Sequence, residues 1–132
     1  MFELDAKSLN RLNGVDKRLV DLTKQVAKIT PIRFQITEGY RDRMRQKELY
    51  AEGKSKIDGE IKLGKHQLGK AVDIVCCKEG YTEPLRDIYI VVGLFIAVAK
   101  QLNIKIRVGA LWDKTSTKDN NFLDAFHIEA ED

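Results

Sequence analysis

Histidine occurs only twice in the 132 residues, at His66 and His127. Between them lies Asp73, an acid inside the apolar run Ala71-Val72-Asp73-Ile74-Val75-Cys76. A carboxylate there is costly unless it is paired or bound to a metal. Two imidazole nitrogens and one carboxylate oxygen match the ligand count of a catalytic zinc, which keeps three protein ligands and an open fourth position for water. Bound zinc lowers the pKa of that water to about 7, so a nucleophile is at hand at neutral pH. Asp124, three residues before His127, offers a carboxylate that can take the water's proton and pass it to a leaving amine. Each residue also has an ordinary reading. A single histidine is commonly a surface or hydrogen-bonded core residue, and a His–Asp pair at short spacing arises by chance.

The conjunction is more specific than its parts. Lys65-His66-Gln67-Leu68-Gly69-Lys70-Ala71-Val72-Asp73 resembles the H-x-x-G-x-A-x-D signature of the VanY-like zinc peptidases. These are the D-Ala-D-Ala carboxypeptidases and L-Ala-D-Glu endopeptidases that cut the peptide part of bacterial cell walls, several phage endolysins among them. Asp124-Ala125-Phe126-His127 resembles the family's second signature, an acid three positions before the second zinc histidine. The resemblance implies His66, Asp73 and His127 as zinc ligands and Asp124 as general base and acid. Gly39-Tyr40-Arg41 resembles the family's G-x-R element, so Arg41 would position substrate or stabilise the oxyanion, with Gln46 as a downstream polar partner at the substrate. Arg43 and Arg45 are rivals for that role. Gly109-Ala110-Leu111-Trp112 resembles a G-x-x-W segment near the active site, where Trp112 would wall the cleft; a large core contact is its other reading. One departure stands out: the family often has Ser two residues before the first histidine, and here it is Gly64. By motif order the resemblance runs over residues 33–130, and the N-terminal helices carry no signal of their own.

These residues need elements to hold them. Residues 6–29 read as a helical hairpin or bent helix, with Ser8 as a cap, a turn at Asn13-Gly14, and a packing stripe of Val15, Leu19, Leu22, Val26 and Ile29. Pro31 ends it. Residues 33–38 alternate as a strand. Asp42 then suits an N-cap and Gly53 a helix stop. Residues 54–65 form a polar loop fit for a substrate rim, or simply a solvated connection. Ala71 to Cys76 reads as a buried strand with Asp73 and Val75 on one face and Val72, Ile74 and Cys76 on the other. The most apolar helix runs from Pro84 to Leu102, burying Leu85, Ile88, Val91, Val92, Phe95, Val98, Ala99 and Leu102. Tyr81 and Tyr89 read as packing or surface residues. Strands at residues 104–108 and 125–130 follow, the last carrying His127.

Composition narrows the function classes. The chain is 43% hydrophobic and 33% charged, with a net charge of +3 and a pI near 8.8. That mild excess suits an anionic wall polymer but falls short of a nucleic-acid face. A small nuclease is therefore disfavoured. The start, Met1-Phe2-Glu3-Leu4-Asp5, lacks a signal peptide's basic and apolar regions. The longest apolar stretch, residues 88–99, is too short to span a bilayer. Adjacent Cys76 and Cys77 are too close for the usual disulfide geometry; Cys76 reads as core and Cys77 as incidental. Asp113, Thr115, Thr117, Asp119 and Asp124 echo the oxygen spacing of a calcium loop, but Lys118 replaces its required glycine.

The expectation is one α+β domain over residues 1–132. It has a small, mostly antiparallel sheet with helices on one face and a single zinc ion on the other. It should act as a monomer on peptidoglycan stem peptides, without membrane insertion or nucleic acid. A phage endolysin that cuts L-Ala-D-Glu, made in the host cytoplasm and acting on the wall after release, fits best. D-Ala-D-Ala carboxypeptidase activity and a non-catalytic, zinc-stabilised wall-binding module are the alternatives.

Overall fold

Asp5 opens the first helix, α1 (Ala6–Arg11), by accepting the Ser8 N–H at 2.8 Å. Ser8 is therefore not the cap the sequence suggested. It is buried, and its Oγ accepts the Ile36 N–H at 2.9 Å, which ties α1 to the first strand. The turn at Gly14, with φ of +85°, separates α1 from α2 (Lys17–Ile29), whose N-cap is Asp16. The hairpin reading thus holds over the bent helix. Leu19, Leu22 and Val26 are fully buried. Ile29 is not part of that face: it is 55% exposed. Thr30 already has extended backbone ahead of Pro31, so the last turn runs past the core.

A computed structural model describes residues 3–54, 64–76, 84–109 and 127–131. Its remaining elements are β1 (Phe34–Glu38), α3 (Arg43–Ala51), β2 (Ala71–Cys76), α4 (Pro84–Leu102), β3 (Ile106–Val108) and β4 (His127–Ala130). Asp42 caps α3 through the Arg45 N–H, and Gly53 closes it with φ of +75°. β3 is shorter than the sequence suggested, because Ile104 and Lys105 stay outside the ladder; residues 125 and 126 of the expected last strand lie outside the described residues.

The four strands form one fully antiparallel sheet in the order β1-β2-β4-β3. Phe34, Ile36, Val72, Ile74, Val108, Ile128 and Ala130 face the helices and are buried. From α4 come Ile88, Val91, Val92, Phe95, Val98 and Ala99, with Phe95 meeting Phe34 edge to face at 5.6 Å between ring centres. Leu102 leaves this face at 43% exposure, at the end of the helix. Among the described residues no helix is long and apolar enough to cross a membrane.

This core fixes the opposite face. Burying a Val or Ile side chain is worth about 1.5–3 kcal/mol. Val72 and Ile74 on β2 and Ile128 on β4 each commit that amount to one register. A slip of one residue would turn Asp73 into the core and those side chains outward. The apolar residues thereby aim Asp73 and His127 to the other side of the sheet, as the alternation in β2 implied.

Candidate metal centre

Asp73 and His127 are ladder partners on β2 and β4. The Asp73 Oδ1 lies 3.0 Å from His127 Nδ1 and 3.2 Å from His66 Nε2. The two imidazole rings stand nearly perpendicular, 76° apart, with centres 5.1 Å apart. One donor atom from each of the three residues falls within 4.8 Å of the other two, and a metal ion fits such a group. The sequence placed these three residues together, and the structure brings them together.

His66 comes from a turn between α3 and β2. There the Gly69 N–H reaches the His66 carbonyl at 3.1 Å, and the Lys70 N–H reaches that of Lys65 at 2.9 Å. Gly69 closes the turn with φ of +70°, in the left-handed region that glycine enters without steric cost. A Cβ at Gly69 would collide with the Gly14 carbonyl oxygen, and one at Gly39 would collide with that of Arg11. The Asp16 N–H also donates to the Gly69 carbonyl at 2.7 Å. The α1–α2 hairpin therefore presses directly on the two segments that seat His66. This is a role the sequence did not reveal for the N-terminal helices.

The tautomer of His66 follows from its partners. Its Nδ1 lies 2.8 Å from the Gly39 carbonyl, which can only accept, so Nδ1 carries the hydrogen. Nε2 then presents a lone pair toward Asp73. The ring is buried, and the contact to Asp73 is close but off the line of a hydrogen bond, so among the described residues Nε2 has no hydrogen-bond partner. A buried, unsatisfied nitrogen is expensive. One facing an imidazole and a carboxylate has the donor chemistry of a metal ligand.

Electrostatics hold the site in charged form. Burial pushes the Asp73 carboxyl up, but the hydrogen bond to His127 and the charge of that ring outweigh it and keep the group well below the usual carboxylate range. Burial pushes His127 down, while Asp73 and Glu129 outweigh that and raise it to about 9. Glu129, on the same face of β4 two residues on, places Oε1 3.0 Å from His127 Nε2. For Glu129 too, burial works upward and the bond to His127 wins, leaving its carboxyl lowered. Sequence reasoning passed over Glu129, although the period of two in a strand puts residues 127 and 129 side by side.

Arg41 sits beside this cluster. Its backbone N–H donates to the His66 carbonyl at 2.9 Å. Its Nε donates to Glu38 Oε1 at 3.0 Å and its Nη1 to Gln46 Oε1 at 2.8 Å. Gln46 is 1% exposed, so its side chain acts on Arg41 from within the protein. A bulge between Ile36 and Glu38 sets Glu38 opposite Asp73, bringing the arginine's anchor to the site face. Arg43 and Arg45 belong to α3, where the Arg45 guanidinium is half-exposed and 3.9 Å from Glu38. Asp124, Trp112, Tyr81, Cys77 and the calcium-like spacing at 113–124 all lie outside the described residues, as does most of the polar loop at 54–65. Cys76 is buried in the core as expected, and Tyr89 is exposed.

The fold is similar to that of the Serratia marcescens L-Ala D-Glu endopeptidase ChiX in its crystal structure, with a TM-score of 0.79 and 24% identity, over 98% of this chain and 90% of that one. At that identity the likeness speaks for the fold. A search of curated proteins by sequence found no match. The model of the phage L-alanyl-D-glutamate peptidase family matches residues 1–130, so the match takes in the N-terminal helices that the motifs alone left out. With that match over nearly its whole length, the chain belongs to the phage L-alanyl-D-glutamate peptidase family.

Proposed function

We propose that His66, Asp73 and His127 hold one zinc ion and that the chain uses it to hydrolyse the L-alanyl–D-glutamate bond of peptidoglycan stem peptides. The observation that carries the metal assignment is the buried His66 Nε2, which among the described residues has no hydrogen-bond partner and faces Asp73 and His127. Two nitrogens and one carboxylate oxygen favour zinc over the harder ions that prefer all-oxygen sites. The bond assignment rests on the family.

When bound, zinc supplies Lewis acidity and an acidified water. The remaining work falls to the chain's own residues. Asp124 takes a proton from the attacking water as the water oxygen bonds to the L-Ala carbonyl carbon. It returns that proton to the D-Glu nitrogen as the C–N bond breaks. The water's second proton also ends on the nitrogen, so the products are an L-Ala carboxylate and a D-Glu ammonium. Arg41, its plane fixed by Glu38 and Gln46, offers cationic donors to a substrate carboxylate or to charge growing on the carbonyl oxygen. By its resemblance to the family's G-x-x-W segment, we assign Trp112 a role in substrate contact. We read the whole as one domain acting as a monomeric phage endolysin, released from the host cytoplasm to the wall. The family and the mild positive charge of +3 support that reading.

The test is digestion of purified peptidoglycan with zinc-loaded protein, followed by mass spectrometry of the peptide ends. New L-Ala carboxyl and D-Glu amino ends are expected. Free D-Ala would make the chain a carboxypeptidase instead. No new ends, from folded and zinc-loaded protein, would make it a wall-binding module.

A further inference from the structure

Glu129 has no role in the reaction as drawn, yet it is buried, with 4% of its surface exposed. A buried carboxylate needs strong partners. It has one at 3.0 Å, His127 Nε2, and a weaker one in Arg107 on β3, whose Nη1 is 3.8 Å away. Its ladder partner on β2 is Ala71, which offers no more than a methyl group at that register position. Arg107 is its ladder partner on β3. The carboxylate is thus boxed in beside the histidine.

The two histidines use opposite nitrogens. His66 turns Nε2 toward Asp73 and anchors Nδ1 on the Gly39 carbonyl. His127 turns Nδ1 toward Asp73 and anchors Nε2 on Glu129. A carboxylate accepts only, so the hydrogen on that side belongs to Nε2. Nδ1 faces the Asp73 carboxylate in the same way, so the metal-free ring is an imidazolium; a metal at Nδ1 would take the place of that proton and leave the Nε2 hydrogen donated to Glu129. A carboxylate behind a ligating imidazole also raises its basicity more than a carbonyl does.

We infer that Glu129 is a positioning residue that fixes His127 in its Nε2–H tautomer, ring edge toward the site, and so sets the strength of metal binding. This rests on the zinc reading of the site.

Zinc affinity is the readout, measured by competition with a chromophoric chelator on wild type, Glu129→Ala and Glu129→Gln. Long-range ¹H–¹⁵N spectra of the histidine rings on the same zinc-loaded samples report the tautomer. Glu129→Ala is expected to bind zinc about 10–100-fold more weakly and to lose the single Nε2–H form of His127. Glu129→Gln has the same shape and keeps an acceptor oxygen. It should hold the tautomer and recover much of the affinity, and it serves where the alanine variant fails to fold. Zinc binding within twofold of wild type in folded Glu129→Ala, or an unchanged His127 tautomer there, overturns the inference while leaving the metal site intact. Loss of tautomer and affinity in Glu129→Gln equal to that in the alanine variant also overturns it, since the acceptor would then not matter. A wild-type chain that takes up no zinc overturns the site reading and this inference together.

Discussion

Asp73 and His127, 54 positions apart in sequence, are direct partners across β2 and β4, with Asp73 Oδ1 3.0 Å from His127 Nδ1. The sheet brings them to that distance because Val72, Ile74 and Ile128 are buried on its other face. Core packing and ligand placement are one constraint here. A metal held between them would join two strands, so its binding energy would add to folding energy.

That pairing makes the stability of the metal-free chain depend on pH. The imidazolium of His127 lies between Asp73 and Glu129, and its pKa is raised from 6.5 to about 9. A raised folded-state value contributes stability that is complete below the unfolded pKa and lost as pH climbs through the folded one. Unfolding free energies of chelator-treated protein, from urea titration, should therefore fall between about pH 6.5 and pH 9, by at most about 3–4 kcal/mol at roughly 1.4 kcal/mol per unit. His127→Gln should flatten the fall. Asp73 runs the other way: its contribution is present above about pH 4 and disappears as pH drops through its lowered value. A metal-free chain that grows more stable from pH 6.5 to 9 would contradict the charge arrangement.

Gly69→Ala should destabilise the fold by roughly 1–3 kcal/mol. The position has φ of +70°, and a methyl group there meets the Gly14 carbonyl oxygen. The strain should displace the His66 turn, so zinc affinity should fall together with stability. Chemical denaturation and chelator competition on one sample check both. An unaltered urea midpoint would show that the α1–α2 hairpin does not brace the turn.

Asp124→Asn should keep fold and zinc and lower kcat by about 10²–10⁴-fold, the usual worth of a positioned acid–base group. Circular dichroism, metal content and a peptide-cleavage assay separate these effects. Wild-type turnover would remove Asp124 from the mechanism.

Arg41→Lys should lower kcat/KM by about 10–100-fold, because a lysine cannot bridge Glu38 and Gln46 and still present a planar fork. Gln46→Leu, which only loosens the guanidinium, should cost less, about 3–10-fold. If Gln46→Leu proved the more damaging of the two, Gln46 would have to act on substrate itself.

The sequence announced much of this and hid a definite remainder. His66, Asp73 and His127 were legible because histidine is so scarce here and an acid inside an apolar strand demands a partner. The alternation in β2 gave the facing of Asp73 correctly. Ser8 misled because its hydroxyl serves a tertiary bond to Ile36, where Asp5 is the better local acceptor. Ile29 and Leu102 fit their helical stripes, but periodicity does not say where the core ends. Glu129 was missed because an acid near a chain end looks solvated until a neighbouring strand covers it. The bracing of Gly39 and Gly69 by the first hairpin was invisible for a similar reason: glycine marks a close approach without naming what approaches.

The central claim is that one metal ion at His66, Asp73 and His127 drives cleavage. Its most direct test is to strip the protein with chelator, add zinc back in measured steps, and follow cleavage of a peptide containing the L-Ala–D-Glu bond. Activity should be absent at the start, rise linearly with added zinc and level off at one equivalent per chain, and His66→Ala should show no such rise. Full activity in the stripped protein, or an unchanged titration in His66→Ala, would contradict the account.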